Sequence, residues 1–492
     1  MTKTPVVMEP DETPGAPNGP RQGLRRVLGF WGPAALSVGV MAPTLAMSIT
    51  GPGAAELVGA AAPVAFVLAA VLVLLVSSGF VALSGQFSHA GSVYGFVGGA
   101  VGPRTGFLAG WAMLGTYLVF PAVSLSGIAV FAQAALRTTG LAPGTDWFVL
   151  ALAGWAVVGL LAIGGIRPTT WSLAVVEVVA VLLILALMAV VFWRLGAGTA
   201  PGGPRAAEAV LRLPEGTTAI TAAAAVTGGF LAFAGFESAG SLGEEARSPR
   251  RTVPRAMLVA IGLGAVFYAA CMVAQSLGFG TDSAGVAAFA GSPAPLDELA
   301  GRYVGAPMAV VLDLVAVISA VGAGLGCVVV GTRLLFALAR DRVLPGRLAS
   351  VAASGTPLAP VAVELAMSLA LLVGFRLAGA SPSRTFFTLA TLGVLSLLVM
   401  YVVTDLAAAR LRWRAGRRAS VAWPVLGALA AGTVLGLQVA SVASSGDAGP
   451  LVVVGWLVVG VLVLLLPGQV DRIARGLARS RDASGGPPAA PA

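Results

Sequence analysis

Residues 230–256 read FLAFAGFESAGSLGEEARSPRRTVPRA. The stretch begins as an apolar helix. Gly235 and Glu237 then fall where a bilayer would place its oily centre. Arg247, Arg250, Arg251 and Arg255 follow at once, as in a basic loop on the cytoplasmic side. A carboxylate at the membrane midplane costs roughly 3 kcal/mol on insertion scales. So costly a residue marks a functional site. The glycine beside it lets the helix unwind and show backbone polar groups to a cavity.

The rest of the chain fits a membrane setting. Of 492 residues, 57% are hydrophobic and 10% are charged, with a mean hydropathy of +0.92. Soluble domains average about 25% charged residues. The net charge of +9 sits in loops between apolar runs, so it argues for no nucleic-acid partner. Lys3 is the only lysine, which excludes a phosphate loop and transport driven by the chain's own ATP hydrolysis. One histidine, His89, and two separated cysteines, Cys271 and Cys327, leave no nucleophile–histidine pair and no metal-ligand spacing. The sequence therefore reads as a non-enzyme without cofactor or metal.

Apolar runs of about 20 residues mark spanning helices. Twelve are expected, at 29–56, 62–84, 104–136, 147–165, 170–193, 218–243, 254–278, 306–338, 359–378, 384–405, 421–443 and 450–467. Residues 1–28 form an N-terminal tail, its first 22 residues rich in Pro, Gly, Asp and Glu and lacking the apolar stretch of a cleavable leader. Residues 468–492 form a C-terminal tail. With the N-terminus inside, 23 of the 30 basic residues fall on the inner side. Arg137, Arg194, Arg205, Arg212, Arg302, Arg376 and Arg384 fall outside. That bias places the chain in the cell membrane with both termini cytoplasmic.

Two spans look interrupted. In the first, Pro43 lies within Met41-Ala42-Pro43-Thr44-Leu45-Ala46-Met47-Ser48, where it removes a donor and clashes with the preceding turn. In the sixth, Phe233-Ala234-Gly235-Phe236-Glu237 lies at matching depth. Spans one and six run in opposite directions. A matched pair of breaks five helices apart is the mark of a five-plus-five inverted repeat with its site between the halves. The expected fold is an all-α polytopic membrane protein with a LeuT-like repeat (29–193 and 218–405) and two additional helices in 421–467.

The 230–256 stretch resembles the sixth-helix signature of the amino acid–polyamine–organocation permeases. SHAGSVYGFVGGAVGP (88–103) is similar to that family's first cytoplasmic loop, TRLLFALARDRVLP (332–345) to the end of its helix eight, and TPLAPV (356–361) to the start of helix nine. The resemblance covers about residues 29–410. It implies a secondary transporter of an amino acid or related amine that works by alternating access. Backbone N–H groups at the first break would then receive the substrate carboxylate. By this resemblance those contacts fall on Pro43, Thr44, Leu45, Ala46, Met47 and Ser48. Carbonyls of Phe233, Ala234 and Gly235 would receive the ammonium group, and Phe236 would cover the substrate as a lid. Many relatives carry Gly-Ser-Gly or Gly-Thr-Gly at the first break. Counting back from Gly59 puts Leu45-Ala46-Met47 there instead.

Glu237 has two readings, a proton-coupling carboxyl or a static one that stabilises the break. Glu177, in the middle of span five, is either the second coupling carboxyl or a neutral acid hydrogen-bonded to helix one or eight; some relatives carry lysine near there. The expected mode is proton-coupled symport or exchange. The alternative is sodium, held by carbonyls near Ala42 and Thr44 with the Ser319 hydroxyl. Thr116, Ser319, Thr388 and Thr391 are expected to line the side-chain pocket with Phe233 and Phe236. Such an apolar, hydroxyl-bearing pocket suits a neutral amino acid better than a polyamine. Two alternatives share the fold: an exporter of amines, polyamines or other organic cations, and an amino acid sensor without net flux.

Overall fold

The computed structural model describes residues 28–164, 166–201, 205–352, 355–444 and 448–484. Most of residues 1–28 and the end of the C-terminal tail, two stretches read as tails, lie outside the described residues. Within them the chain is helical. The first candidate span is α1 (Trp31–Met41) with α2 (Pro43–Ile49), and α3 (Gly51–Val58) follows it. Next come α4 (Ala62–Ser84), the short α5 (Val93–Val101), α6 (Pro103–Thr139), α7 (Trp147–Gly164) and α8 (Ile166–Gly196). The sixth span is α9 (Ala219–Phe233) followed by a 3₁₀ turn over Phe236–Leu242. Then follow α10 (Pro249–Phe279), two short helices α11 (Ser283–Gly291) and α12 (Pro295–Tyr303), and α13 (Ala306–Arg340). The chain continues with α14 (Leu358–Leu377), α15 (Pro382–Arg414), α16 (Ala422–Ser444), α17 (Gly449–Leu465) and α18 (Gln469–Ser484).

Eleven spans among the described residues are long and apolar enough to cross a bilayer. The twelfth is α17, which with α18 passes the same test across an 89° bend. Proline in the first turn starts α4, α6, α10, α13 and α15. There its missing N–H costs nothing, because the first-turn donors have no helical acceptor.

The bundle is organised around α6 and α13, which are largely buried, while α8 and α16 turn most of their surface outward. Two contacts fix the outer layers. Trp111 of α6 and Trp456 of α17 stack with ring centroids 4.5 Å apart, and each indole N–H donates to the other's carbonyl at 2.8 and 2.9 Å. Asp341 at the end of α13 accepts the Tyr94 hydroxyl of α5 at 2.6 Å.

One face of the bundle gathers several connections. Leu28 pairs with the segment after span six, exchanging backbone hydrogen bonds with Glu245 and Arg247 at 2.9 Å each. The α18 helix docks on the same side as α5: Leu477 packs at Gly98, and Gln469 Nε2 donates to the Val343 carbonyl at 3.0 Å. This is the Leu28 face. Residues 468–492, expected as a tail, are helical in α18, set by Ile473 and Leu477, one turn apart and both buried.

Gly235 combines a left-handed backbone with a close neighbour. Its φ of 111° lies in the left-handed region, and an added Cβ would sit 2.4 Å from Val40 Cγ1. Gly235→Ala should destabilise the protein by about 2 kcal/mol or more, from strained φ plus the clash. Thermal unfolding in detergent, with Gly262→Ala as the open-space control, measures this. Equal melting temperatures for the two variants would contradict it.

Candidate functional site

The two interrupted spans lie side by side. α1 stops at Met41 because the Pro43 ring cannot follow a helical residue without clash. Ala42 takes a left-handed conformation, φ 42° and ψ 67°, and Pro43 opens α2. The break thus falls at Ala42-Pro43, three residues before the Leu45-Ala46-Met47 obtained by counting back from Gly59. Pro43, Thr44, Leu45, Ala46, Met47 and Ser48 are all buried in α2. The first two N–H donors after the proline are already engaged. Thr44 N–H donates to Glu177 Oε1 at 2.9 Å, and Leu45 N–H to Ser319 Oγ at 3.3 Å. The Ser48 hydroxyl turns back to the Thr44 carbonyl at 2.8 Å, and the Met47 carbonyl accepts from Gln275 Nε2 at 3.0 Å. The Thr44 hydroxyl is buried with no partner among the described residues.

At the second break α9 ends at Phe233, and Ala234 and Gly235 leave helical geometry. Glu237 closes this gap. Its Oε2 accepts the Gly235 N–H at 3.1 Å and the Tyr401 hydroxyl at 3.0 Å, and its Oε1 accepts the Tyr117 hydroxyl at 2.8 Å. The Tyr268 hydroxyl donates to the Ala232 carbonyl at 3.0 Å. Ser37 of α1 joins the two breaks: its hydroxyl donates to the Phe236 carbonyl at 2.7 Å and accepts the Ala239 N–H at 3.2 Å.

A cavity of about 50 Å³ lies between the breaks. Leu45, Ala46 and Ala234 line it, together with Val40, Met41, Ala42, Thr50 and Leu231 from the same spans. Phe120, Val123 and Ser124 of α6, Ala323 and Cys327 of α13, and Phe386 of α15 complete the wall. No charged side chain reaches it. The space holds a few waters at most, far below the ~300–1,000 Å³ of an open ligand pocket.

Several expected lining residues stand elsewhere. Thr116 donates its hydroxyl to the Gly393 carbonyl at 2.9 Å, tying α6 to α15. Thr388 and Thr391 are half-buried and do not line the cavity; α15 presents Phe386 instead. Phe233 packs edge-on to Tyr268 at 4.9 Å. Phe236, expected as a lid, does not line the cavity. It packs against Phe80 and Tyr401 at 5.4 and 5.5 Å. Ser319 faces a second, larger space beside Glu177. In each case helix rotation, which apolar helices do not reveal in sequence, decides the outcome.

The tyrosines are what sequence reading missed. The chain has five tyrosines against twenty phenylalanines, and all five are buried. Every one donates its hydroxyl: Tyr94 to Asp341, Tyr117 and Tyr401 to Glu237, Tyr268 to Ala232, and Tyr303 to Gly278. A buried hydroxyl is kept over Phe only where it has a partner.

On the Leu28 face a charged cluster closes the bundle below the breaks. Arg340 bonds Glu244 at 2.9 and 3.0 Å, and Arg333 bonds Glu245 at 2.8 Å. Burial pushes the Glu244 carboxyl up, but Arg340, His89 and the Ala90 N–H together outweigh it and hold it down at about 2. Burial pushes His89 below its ordinary value against the upward pull of Glu244. Its Nδ1 accepts the Gly91 N–H at 2.9 Å, a bond that protonation there would break.

A sequence model of the amino acid permease family matches residues 28–464. Two interrupted spans meeting in a helical membrane bundle, together with that match, define the class: the chain belongs to the amino acid permease family and is a multi-pass membrane transporter. It is similar to the branched-chain amino acid permease BcaP of Lactococcus lactis, 26% identical over 66% of this chain and 70% of that protein. An uncharacterized transporter of Mycobacterium tuberculosis is 30% identical over 67% of this chain and 69% of its own. The low-affinity putrescine importer PlaP of Escherichia coli is 25% identical over 58% and 60%.

Two outcomes test the site's construction. Tyr117→Phe and Tyr401→Phe should each cost about 1–3 kcal/mol, since each strips a hydroxyl from a fully buried carboxyl. Thermal unfolding measures this, and unchanged melting would contradict it. Folding favours neutral His89, so its stabilising contribution is complete above the ordinary value of 6.5 and declines as pH falls towards the lowered native value. Glu244, held at about 2, contributes fully above its ordinary 4.5 and loses that only as pH falls through about 2. Between pH 7.5 and 5 the wild type should therefore lose more thermal stability than His89→Asn.

Proposed function

We propose that the protein is a secondary carrier for a small amino acid with an apolar side chain, moved across the cell membrane by alternating access. The observation that carries this reading is the uncharged, mostly apolar cavity held between two interrupted spans. Exposed main chain at membrane depth is tolerated only where it lines protein or a cavity, and such breaks are where solutes bind in carriers built from inverted repeats. The two halves, 29–193 and 218–405, form that repeat in this reading, with 421–467 added outside it. The Leu28 face is cytoplasmic, in keeping with the placement of the arginines.

Substrate recognition follows from the breaks. The ammonium group meets carbonyls where α9 ends, near Phe233 and Ala234. The carboxylate takes the donors near Thr44 and Leu45 once Glu177 and Ser319 release them. The apolar side chain projects towards Val123, Cys327 and Phe386. The names of the permease BcaP and the importer PlaP support a substrate that carries an amine; the apolar wall favours the neutral amino acid.

Coupling to protons assigns Glu237 and Glu177 as the carboxyls that exchange them. Each sits at a break, so loading or losing a proton alters the bonds that hold the break. Glu237→Gln keeps the shape and removes the titration.

Uptake into proteoliposomes is the deciding measurement. Radiolabelled leucine should accumulate under an inward proton gradient, with excess isoleucine or valine competing more strongly than putrescine. Putrescine as the stronger competitor would favour the amine reading, and a requirement for sodium would remove the proton. Saturable leucine binding with no uptake would make the protein a sensor. Glu237→Gln should flatten the pH dependence of uptake. Phe386→Ala should widen the cavity and raise the rate for phenylalanine relative to leucine; an unchanged ratio would remove Phe386 from the substrate wall.

A further inference from the structure

A second cavity, of about 810 Å³, lies between α1, α8, α10 and α13. At its edge stand Val178, Leu182, Leu263 and Val266, all exposed and all on helices apolar enough to cross a bilayer. The mouth of this cleft therefore faces hydrocarbon rather than water. Its wall is almost wholly apolar.

The exceptions lie deep inside. Glu177 and Ser319 line the cleft beside the last turn of α1. Glu177 is 7% exposed, and none of the lining residues is an arginine, lysine or histidine. It forms no ion pair among the described residues. Its main-chain donor is Thr44 N–H at 2.9 Å, and the Ser319 and Thr44 hydroxyls stand beside it. All are neutral, so the carboxylate has no countercharge among these partners.

An acid in so apolar a place is costly without a countercharge. A cation that brings its own apolar tail meets both demands. Its ammonium group answers the carboxylate, and its tail covers the valine and leucine walls. An alcohol of equal length gains the walls alone. A fatty acid is repelled.

We propose that this cleft binds a lipophilic primary ammonium ion that arrives from the bilayer, with its head on Glu177 and its tail along α8 and α10. The site is separate from the cavity between the breaks; the two share only Met41 among their lining residues. A bound tail lies against α1 and hinders its movement, so such amines act as inhibitors that apolar amino acids do not displace.

The test is photolabelling of the full chain in phosphatidylcholine nanodiscs with a diazirine-bearing alkylamine, mapped by mass spectrometry. Label should fall on α8 and α10. Octylamine should suppress it at least tenfold more effectively than octanol, and octanoate should not suppress it. Glu177→Gln should abolish the preference of amine over alcohol. Leu263→Trp, a lipid-facing change that fills the mouth without touching the acid, should lower labelling severalfold. Equal suppression by octylamine and octanol in the wild type would overturn the proposal. So would a retained amine preference in Glu177→Gln, or undiminished labelling in Leu263→Trp. Labelling needs no transport, so failure of leucine uptake would leave this result standing.

Discussion

Hydrocarbon offers no hydrogen bonds, and this structure is arranged around that fact. A helix can be opened inside a bilayer only if every freed donor and acceptor finds a partner in the protein. At the sixth span the answer is Glu237, whose two oxygens take one main-chain N–H and two tyrosine hydroxyls. At the first span it is Glu177 and Ser319, which take the two donors left after Pro43. Each break is thus held by an acid from within the membrane. Both acids are expensive to bury, and both are retained where the backbone would otherwise be stranded.

The placement of those partners explains the packing around them. Tyr117 and Tyr401 come from α6 and α15, so the second break depends on two helices that flank the cavity. Glu177 and Ser319 come from α8 and α13, so the first depends on two others. The interrupted spans are suspended between these supports, and three of the four helices, α6, α13 and α15, wall the space between them. A rearrangement of either pair must alter the bonds at a break.

The breaks themselves were legible in the sequence, because proline and glycine end helices for stereochemical reasons that need no tertiary context. Pro43 and Gly235 stand where the chain departs from helical geometry. Span positions were legible from apolar length alone. Helix rotation was not: Thr388 and Phe386 are two residues apart, which turns a side chain by about 200° on a helix, and in an apolar span no polar stripe tells which faces inward. The partners of Glu237 were hidden for another reason. They lie 120 and 164 residues away along the chain, and only the scarcity of tyrosine hinted that each hydroxyl has a task. The helix after span twelve escaped notice because its apolar residues are few and its arginines many.

Ser37 carries a consequence out of proportion to its size. One hydroxyl holds the main chain of span six at two points, as donor to Phe236 and as acceptor from Ala239. The half-helices on the Leu28 side are thereby yoked, like two oars in one hand. Neither can swing alone without snapping both bonds in a place where water is slow to replace them. In the alternating-access reading proposed above, opening towards that side is a single concerted stroke rather than two independent ones.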